Sequence, residues 1–296
     1  VWRRVCRRVV LQRRFERCGV GRVDDGGRKQ GGGGDEVGRV DHFDGRVHVP
    51  VREPEVVRRG ATAAGKEPVG VRAGAGDVVP LGAVEPDLET VRDALPRAAA
   101  GRLGSVASAT ADPVPAADLS FGAPLASFGK LWGIGLNYAE HAGDLDEERP
   151  TEPASFMKPP SALTGPDGPI RLPPRSQSER VTAEAELAVV IGRTCRNVDE
   201  DDVDDVVAGF LPVIDVTAED VLRRNPRFLT RAKSYDTFLV SGAALAVPEG
   251  PLDLDGLSVR TEVNGEVRAE NEVRNMLFPP AEIVSFHADV MTLEPG

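Results

Sequence analysis

From residue 129 to the end of the chain, apolar residues come in short runs broken by glycine, proline and charge, a strand-rich pattern. Residues 131–136 predict a short strand. Residues 186–191 predict a buried one, apolar after Glu186 and stopped by Gly192, and residues 210–214 predict another. Residues 238–247 read as a strand broken at Gly242. The apolar residues of 259–263 and Val267 flank Asn264-Gly265, a hairpin signal because both turn positions tolerate positive φ. Helical signals are fewer: residues 88–95, an acidic start over 199–207 with Gly209 at its end, and Thr217 with Asp220 as a capping box for a helix through Arg224. Residues 107–124, rich in Ala, Pro and Ser, read as a linker. The layout is α+β, without a βαβ repeat.

Residues 1–75 lack this pattern. Their apolar positions follow neither a helical nor a strand period for long, and glycine fills 31–34. The stretch reads as a leader outside the fold, disordered or not native coding sequence. The competing reading is a basic arm built on Arg3, Arg4, Arg7, Arg8, Arg13 and Arg14. The expected organisation is a leader over 1–75, a small N-terminal segment and linker over 76–125, and a core over 126–296.

Charge sharpens that division. Residues 1–75 hold 17 Lys and Arg against 10 Asp and Glu, a net of +7; residues 76–296 hold 19 against 37, a net of −18. A body of that sign repels a phosphate backbone, so nucleic acid is not its expected partner. Its lysines are Lys130, Lys158 and Lys233 alone. An acidic, lysine-poor surface suits a halophilic cytoplasmic protein, because concentrated salt screens carboxylate repulsion. Only Cys195 of the three cysteines lies in the body, so no disulfide framework is expected. No apolar run reaches the roughly 18–20 residues that span a bilayer, and no signal peptide or membrane partner is read.

Candidate chemistry begins with Glu184 and Glu186. Residues two apart on a strand share a face, so the carboxylates need a cation, a shared proton or open solvent. Asp215 follows the 210–214 run directly and supplies a third oxygen donor. Three carboxylates without a clustered histidine or thiol suit a hard ion such as Mg²⁺ or Mn²⁺. His141 has Asp144 at helical spacing, either as a base oriented by its carboxylate or as a surface pair. Lys158 and Lys233 stand out because lysine is so scarce.

Taken in order, these segments resemble the fumarylacetoacetate hydrolase superfamily. The blocks are Gly135-Leu136-Asn137-Tyr138 with His141, Phe156-Met157-Lys158-Pro159, the run from Glu184 to Gly192, and Asp215-Val216-Thr217-Ala218 with Asp220. Lys233-Ser234-Tyr235-Asp236, Val263-Asn264-Gly265-Glu266 and Asn275-Met276-Leu277-Phe278 follow, so that the resemblance covers about residues 126–296. It implies a mixed β-sandwich roll with a few short helices and a Mg²⁺ or Mn²⁺ site from Glu184, Glu186 and Asp215. It also implies His141 as base, Asp144 as its orienter, Lys233 as an oxyanion or carboxylate contact, and Lys158 and Tyr138 in substrate binding. A homodimer is expected. The implied substrate is a short 2-oxo acid or 1,3-diketo acid. It would chelate the ion, which stabilises the enolate of C–C hydrolysis, decarboxylation or isomerisation.

This chain departs from the superfamily at four places. Asp144 stands where Glu is usual, Glu219 and Leu222 stand where Arg and Gln are common, and Ile134 occupies the place of a fourth carboxylate. The superfamily continues past the position of Gly296 into a Gly-Asp…Thr-Gly-Thr-Pro segment, so a C-terminally truncated core is expected. Two alternatives accompany the enzyme reading: a dehydratase of 2-oxo-3-deoxy sugar acids, and a non-catalytic metal-binding fragment.

Overall fold

The computed structural model describes residues 9–13, 46–48, 55–61, 69–73, 77–103, 112–138, 150–166, 168–248, 250, 254, 257–263 and 266–296. Before residue 130 lie β1 (Val9–Arg13), β2 (Arg46–His48), β3 (Glu55–Ala61), β4 (Val69–Ala73), β5 (Asp77–Pro80), α1 (Leu81–Val84), α2 (Val91–Ala99), β6 (Val114–Pro115) and β7 (Ser120–Phe121). Then follow β8 (Trp132–Gly135), β9 (Ala154–Met157), β10 (Leu163–Thr164), β11 (Val181–Ile191), β12 (Val207–Ala218), α3 (Glu219–Arg224) and α4 (Leu229–Lys233). The remaining elements are β13 (Leu239–Ser241), β14 (Leu245–Val247), β15 (Ser258–Val263), β16 (Glu266–Glu272) and α5 (Pro280–Val290).

The largest sheet runs β10-β13-β12-β14-β3-β4-β5-β6, with β11 also paired to β12 and β7 to β3. A second sheet runs β16-β15-β1-β2, and β8 pairs with β9 alone. Most pairs are antiparallel, while β10–β13 and β1–β15 are parallel, so the architecture is mixed α+β as the sequence predicts.

Strand β12 is the centre of the fold. All of its residues are buried, which explains why it reads as a continuous apolar run: both faces are covered. On one face, Leu211 and Val213 join Leu81, Val91, Leu95 and Leu245 beneath α1 and α2. On the other, Ile214 and Val216 join Ile170, Val221, Phe238 and Val240. Gly209 lies where β14 crosses closest, since a Cβ there would collide with the Ala246 carbonyl. Asp215 is the one ionisable residue of this buried strand, and burying a charge that deep requires partners.

Several expectations need revision. Thr217 and Asp220 form no capping box. Thr217 is still in β12, the N-cap of α3 is Ala218, and the Asp220 carboxylate accepts from Ser178 Oγ 2.5 Å away. The capping box lies instead at Thr90 and Asp93, opening α2. The acidic helix over 199–207 is a 3₁₀ helix, Glu200–Asp205, and Gly209 belongs to β12 rather than to a helix end. The stretch before residue 76, read without elements, contains β1 to β4, and β3 pairs with β14 of the body. Val9, Val10, Val56, Val57, Val69 and Val71 are β-branched residues that fit these strands even without a long period. Asn264-Gly265 lies outside the described residues, while β15 and β16 on either side pair antiparallel. No described helix is long and apolar enough to cross a membrane.

Candidate functional site

The antiparallel register of β11 on β12 sets Glu184 opposite Asp215 and Glu186 opposite Val213. Directly opposed residues point to one side of a sheet, and so do residues two apart. Glu184, Glu186 and Asp215 therefore share a face. Burial, then the charges of Asp215 and Glu184, push the Glu186 carboxyl up to about 8, with Lys233 opposing them.

Two lysines hold Asp215. Lys158 follows β9, and its ammonium is 2.7 Å from Asp215 Oδ1. The same ammonium donates to the carbonyls of Val216 (3.1 Å), Lys233 (2.7 Å) and Phe238 (2.8 Å). Four acceptors for three protons leave Asp215 Oδ1 with a charge contact rather than a directed hydrogen bond. Burial pulls the Lys158 pKa down, and Asp215 counters it. Lys233, at the end of α4, donates to Asp215 Oδ2 at 2.5 Å and Thr217 Oγ1 at 2.9 Å, and its ammonium lies 4.7 Å from the Phe156 ring centroid. Lys158 and Lys233 are both buried, so two of the three scarce lysines are internal groups, while Lys130 is exposed.

Lys158, Glu186 and Asp215 line a cavity of about 310 Å³, whose wall also includes Tyr138, Phe156, Leu239 and His287; Lys233 meets that wall through Asp215 and the Phe156 ring. The Tyr138 hydroxyl is buried without a hydrogen-bond partner among the described residues. Burial and the charge of Glu186 hold its pKa above the usual phenol value. His287, on α5, faces the Ile283 carbonyl through Nδ1 at 2.8 Å, so Nδ1 carries the proton and Nε2 is left as an acceptor without a described partner. Its ring stands edge-on to Trp132.

The structure thus brings together Glu184, Glu186, Asp215, Lys158, Lys233 and Tyr138. His141 and Asp144 lie outside the described residues. The Lys158 ammonium is turned inward, with acceptors for every proton, whereas Lys233 has two hydrogen-bond partners and a third proton to offer. Among the described residues, no three His, Cys, Asp or Glu groups stand at mutual distances that would ligate one ion. The donor set nevertheless fits a hard divalent cation. Three carboxylates share one face, Asp215 Oδ1 lacks a directed donor, and the burial and carboxylate repulsion that raise Glu186 are what a cation would relieve.

Sequence reasoning assigned no role to Asn137 and read Thr217 as a helix cap, not as a site residue. Asn137 is buried; its amide donates to the Phe278 carbonyl at 3.0 Å and accepts from the Phe278 N–H at 2.9 Å. Both residues sit in quoted motif blocks, but partners 141 and 16 residues away leave no periodic signal.

Comparison with known proteins identifies the family and the fold. The family described as fumarylacetoacetate (FAA) hydrolase C-terminal matches residues 130–296. A 2,4-didehydro-3-deoxy-L-rhamnonate hydrolase from a Sphingomonas species is 34% identical over 232 residues, 78% of each chain. A maleylpyruvate hydrolase from Sphingobium sp. SYK-6, solved with manganese(II) and pyruvate, superposes with a TM-score of 0.65 at 28% identity, covering 81% of this chain and 85% of that one. A 5-carboxymethyl-2-hydroxymuconate delta-isomerase from Mycobacterium smegmatis gives 0.63 at 29% identity over the same shares. The chain belongs to the fumarylacetoacetate hydrolase family, in which these relatives are hydrolases and an isomerase.

Proposed function

We propose that this chain is a divalent-metal-dependent enzyme acting on a short 2-oxo or 1,3-diketo acid by C–C hydrolysis, decarboxylation or isomerisation. The observation that carries the reading is Asp215, buried between two lysine ammoniums with Glu184 opposite it and Glu186 on the same face of the cavity wall. Glu184, Glu186 and Asp215 would hold Mg²⁺ or Mn²⁺, which would supply Lewis-acid polarisation of the oxo-acid carbonyl. The manganese and pyruvate of the Sphingobium relative support that class.

The chain's own groups divide the remaining work. Lys233 offers its third proton to a substrate carboxylate or a developing oxyanion, in surroundings dry enough to strengthen that contact. The Tyr138 hydroxyl, a buried donor near Glu186, orients the substrate at the carboxylate face. Lys158 acts beneath the site: it anchors the Lys233 carbonyl and balances Asp215, so it positions both. His141, oriented by Asp144, moves the proton.

A second reading takes a 2-oxo-3-deoxy sugar acid as substrate, with dehydration as the reaction; the Sphingomonas relative shares the 3-deoxy sugar-acid skeleton but bears the name of a hydrolase. A panel of acylpyruvates, oxaloacetate and 2-oxo-3-deoxy sugar acids, each with Mg²⁺, Mn²⁺ or EDTA, separates the readings. Metal-dependent turnover of acylpyruvate or oxaloacetate is expected. Dehydration of the sugar acids alone selects the second reading, and turnover unaffected by EDTA contradicts both.

A further inference from the structure

The wall of the cavity that carries Tyr138 is held by one side-chain amide. Strand β8 ends at Gly135, and Leu136 takes φ of 55°, a left-handed conformation that turns the chain out of the strand. After that turn, Asn137 and Tyr138 run antiparallel to residues 276–278. Tyr138 bridges Met276, and the Leu277 N–H donates to the Asn137 carbonyl at 2.7 Å. The main-chain pairing is extended by the Asn137 side chain, which satisfies both the carbonyl and the N–H of buried Phe278.

A carboxamide is the group that can do this. It offers a donor and an acceptor side by side, like a peptide unit, from a single methylene stem. Aspartate keeps the acceptor but sets a carboxylate oxygen against the Phe278 carbonyl. Leucine keeps the approximate shape and leaves both Phe278 groups unpaired in a dry site. The bond pair also joins two walls of the cavity, since Asn137, Tyr138, Met276 and Pro280 all line it. Tyr138 is the residue next to this clamp, and its hydroxyl is buried near Glu186 with no described hydrogen bond to hold it. Among the described residues, its ties to the opposing segment run through the backbone.

We infer that Asn137 is a positioning residue: by pairing with Phe278 it places the Tyr138 hydroxyl at the carboxylate face, and, on the substrate reading above, it governs how well the cavity orients its ligand. The Tyr138–Met276 bridge alone leaves the pair free to pivot. The amide adds a second tie one residue away, which fixes the direction of the Tyr138 side chain.

The chain's two tyrosines make the inference measurable. Tyr235 packs against Phe238, with ring centroids 5.0 Å apart, on the other side of β12, and serves as an internal reference. Full-length protein labelled with 3-fluorotyrosine gives two ¹⁹F resonances, assigned with Tyr235→Phe. In Asn137→Asp and Asn137→Leu the Tyr138 resonance should shift and broaden while the Tyr235 resonance stays in place. On whichever substrate the panel identifies, kcat/KM should fall tenfold or more. If Asn137→Leu does not fold, Asn137→Asp, which retains one of the two bonds, decides. An unmoved Tyr138 resonance, or both resonances moving together as in general loosening, overturns the inference. The ¹⁹F result stands whether or not any oxo acid is turned over, so failure of the substrate reading is seen separately.

Discussion

Lys158 holds Asp215 at the cavity wall: its ammonium lies 2.7 Å from Asp215 Oδ1 and also reaches three backbone carbonyls. Removing one partner of such a buried pair leaves unpaired polar groups in a dry interior, at a cost of about 3–5 kcal/mol. Lys158→Met should lower unfolding free energy by that order in urea titrations, even with Lys233 still on Asp215. A loss under about 1 kcal/mol would show that the ammonium does not tie these segments together.

Glu186 gives a pH dependence with a definite sign. Its carboxyl is raised from 4.5 to about 8 in the folded chain, so between those values the folded state holds a proton that the unfolded state has released. Stability of the metal-free chain should therefore fall as pH rises from about 5 to 8 and level off above. Urea midpoints in EDTA at pH 5.5 and 8.5 measure this, and Glu186→Gln should flatten the difference. A midpoint that rises with pH in the wild type and is unchanged by Glu186→Gln would contradict the burial of an uncompensated carboxyl.

The proposed function makes His141 a base, not a ligand. His141→Ala should lower turnover by about 10²–10⁴-fold, the usual contribution of a positioned base, and leave Mn²⁺ affinity unchanged. Asp144→Asn should cost less, because it only weakens and loosens that base. Activity and metal affinity lost together in His141→Ala would make the imidazole a ligand instead.

The sequence made strand existence legible where apolar runs are continuous, in fully buried β12 and in half-buried β11. The runs at 186–191 and 210–214 lie inside β11 and β12, and the break at Gly242 separates β13 from β14. Boundaries failed where pairing, not hydrophobicity, holds the strand. β11 begins at Val181 and β12 runs to Ala218, because each pairs with the other along its whole length, through Thr182, Glu184, Asp215 and Thr217. The 217–220 capping box failed for the same reason, as Thr217 faces Lys233 from within β12. At the site, motif order brought Glu184, Glu186, Asp215 and Lys233 to notice. The inward use of Lys158 and the Asn137–Phe278 pair depend on contacts 58 to 141 residues apart, which no local pattern encodes.

The central claim is that Glu184, Glu186 and Asp215 make one divalent-cation site. Titrating the metal-free chain with Mn²⁺ and counting free ion by electron paramagnetic resonance tests it most directly. One Mn²⁺ per chain is expected in the wild type, with affinity at least tenfold weaker in Glu184→Gln and in Asp215→Asn, which keep side-chain shape and remove charge. Binding should also stabilise the fold, by about 2.7 kcal/mol when the free ion is a hundredfold above Kd. No bound Mn²⁺, or affinity unchanged in both variants, would contradict the account.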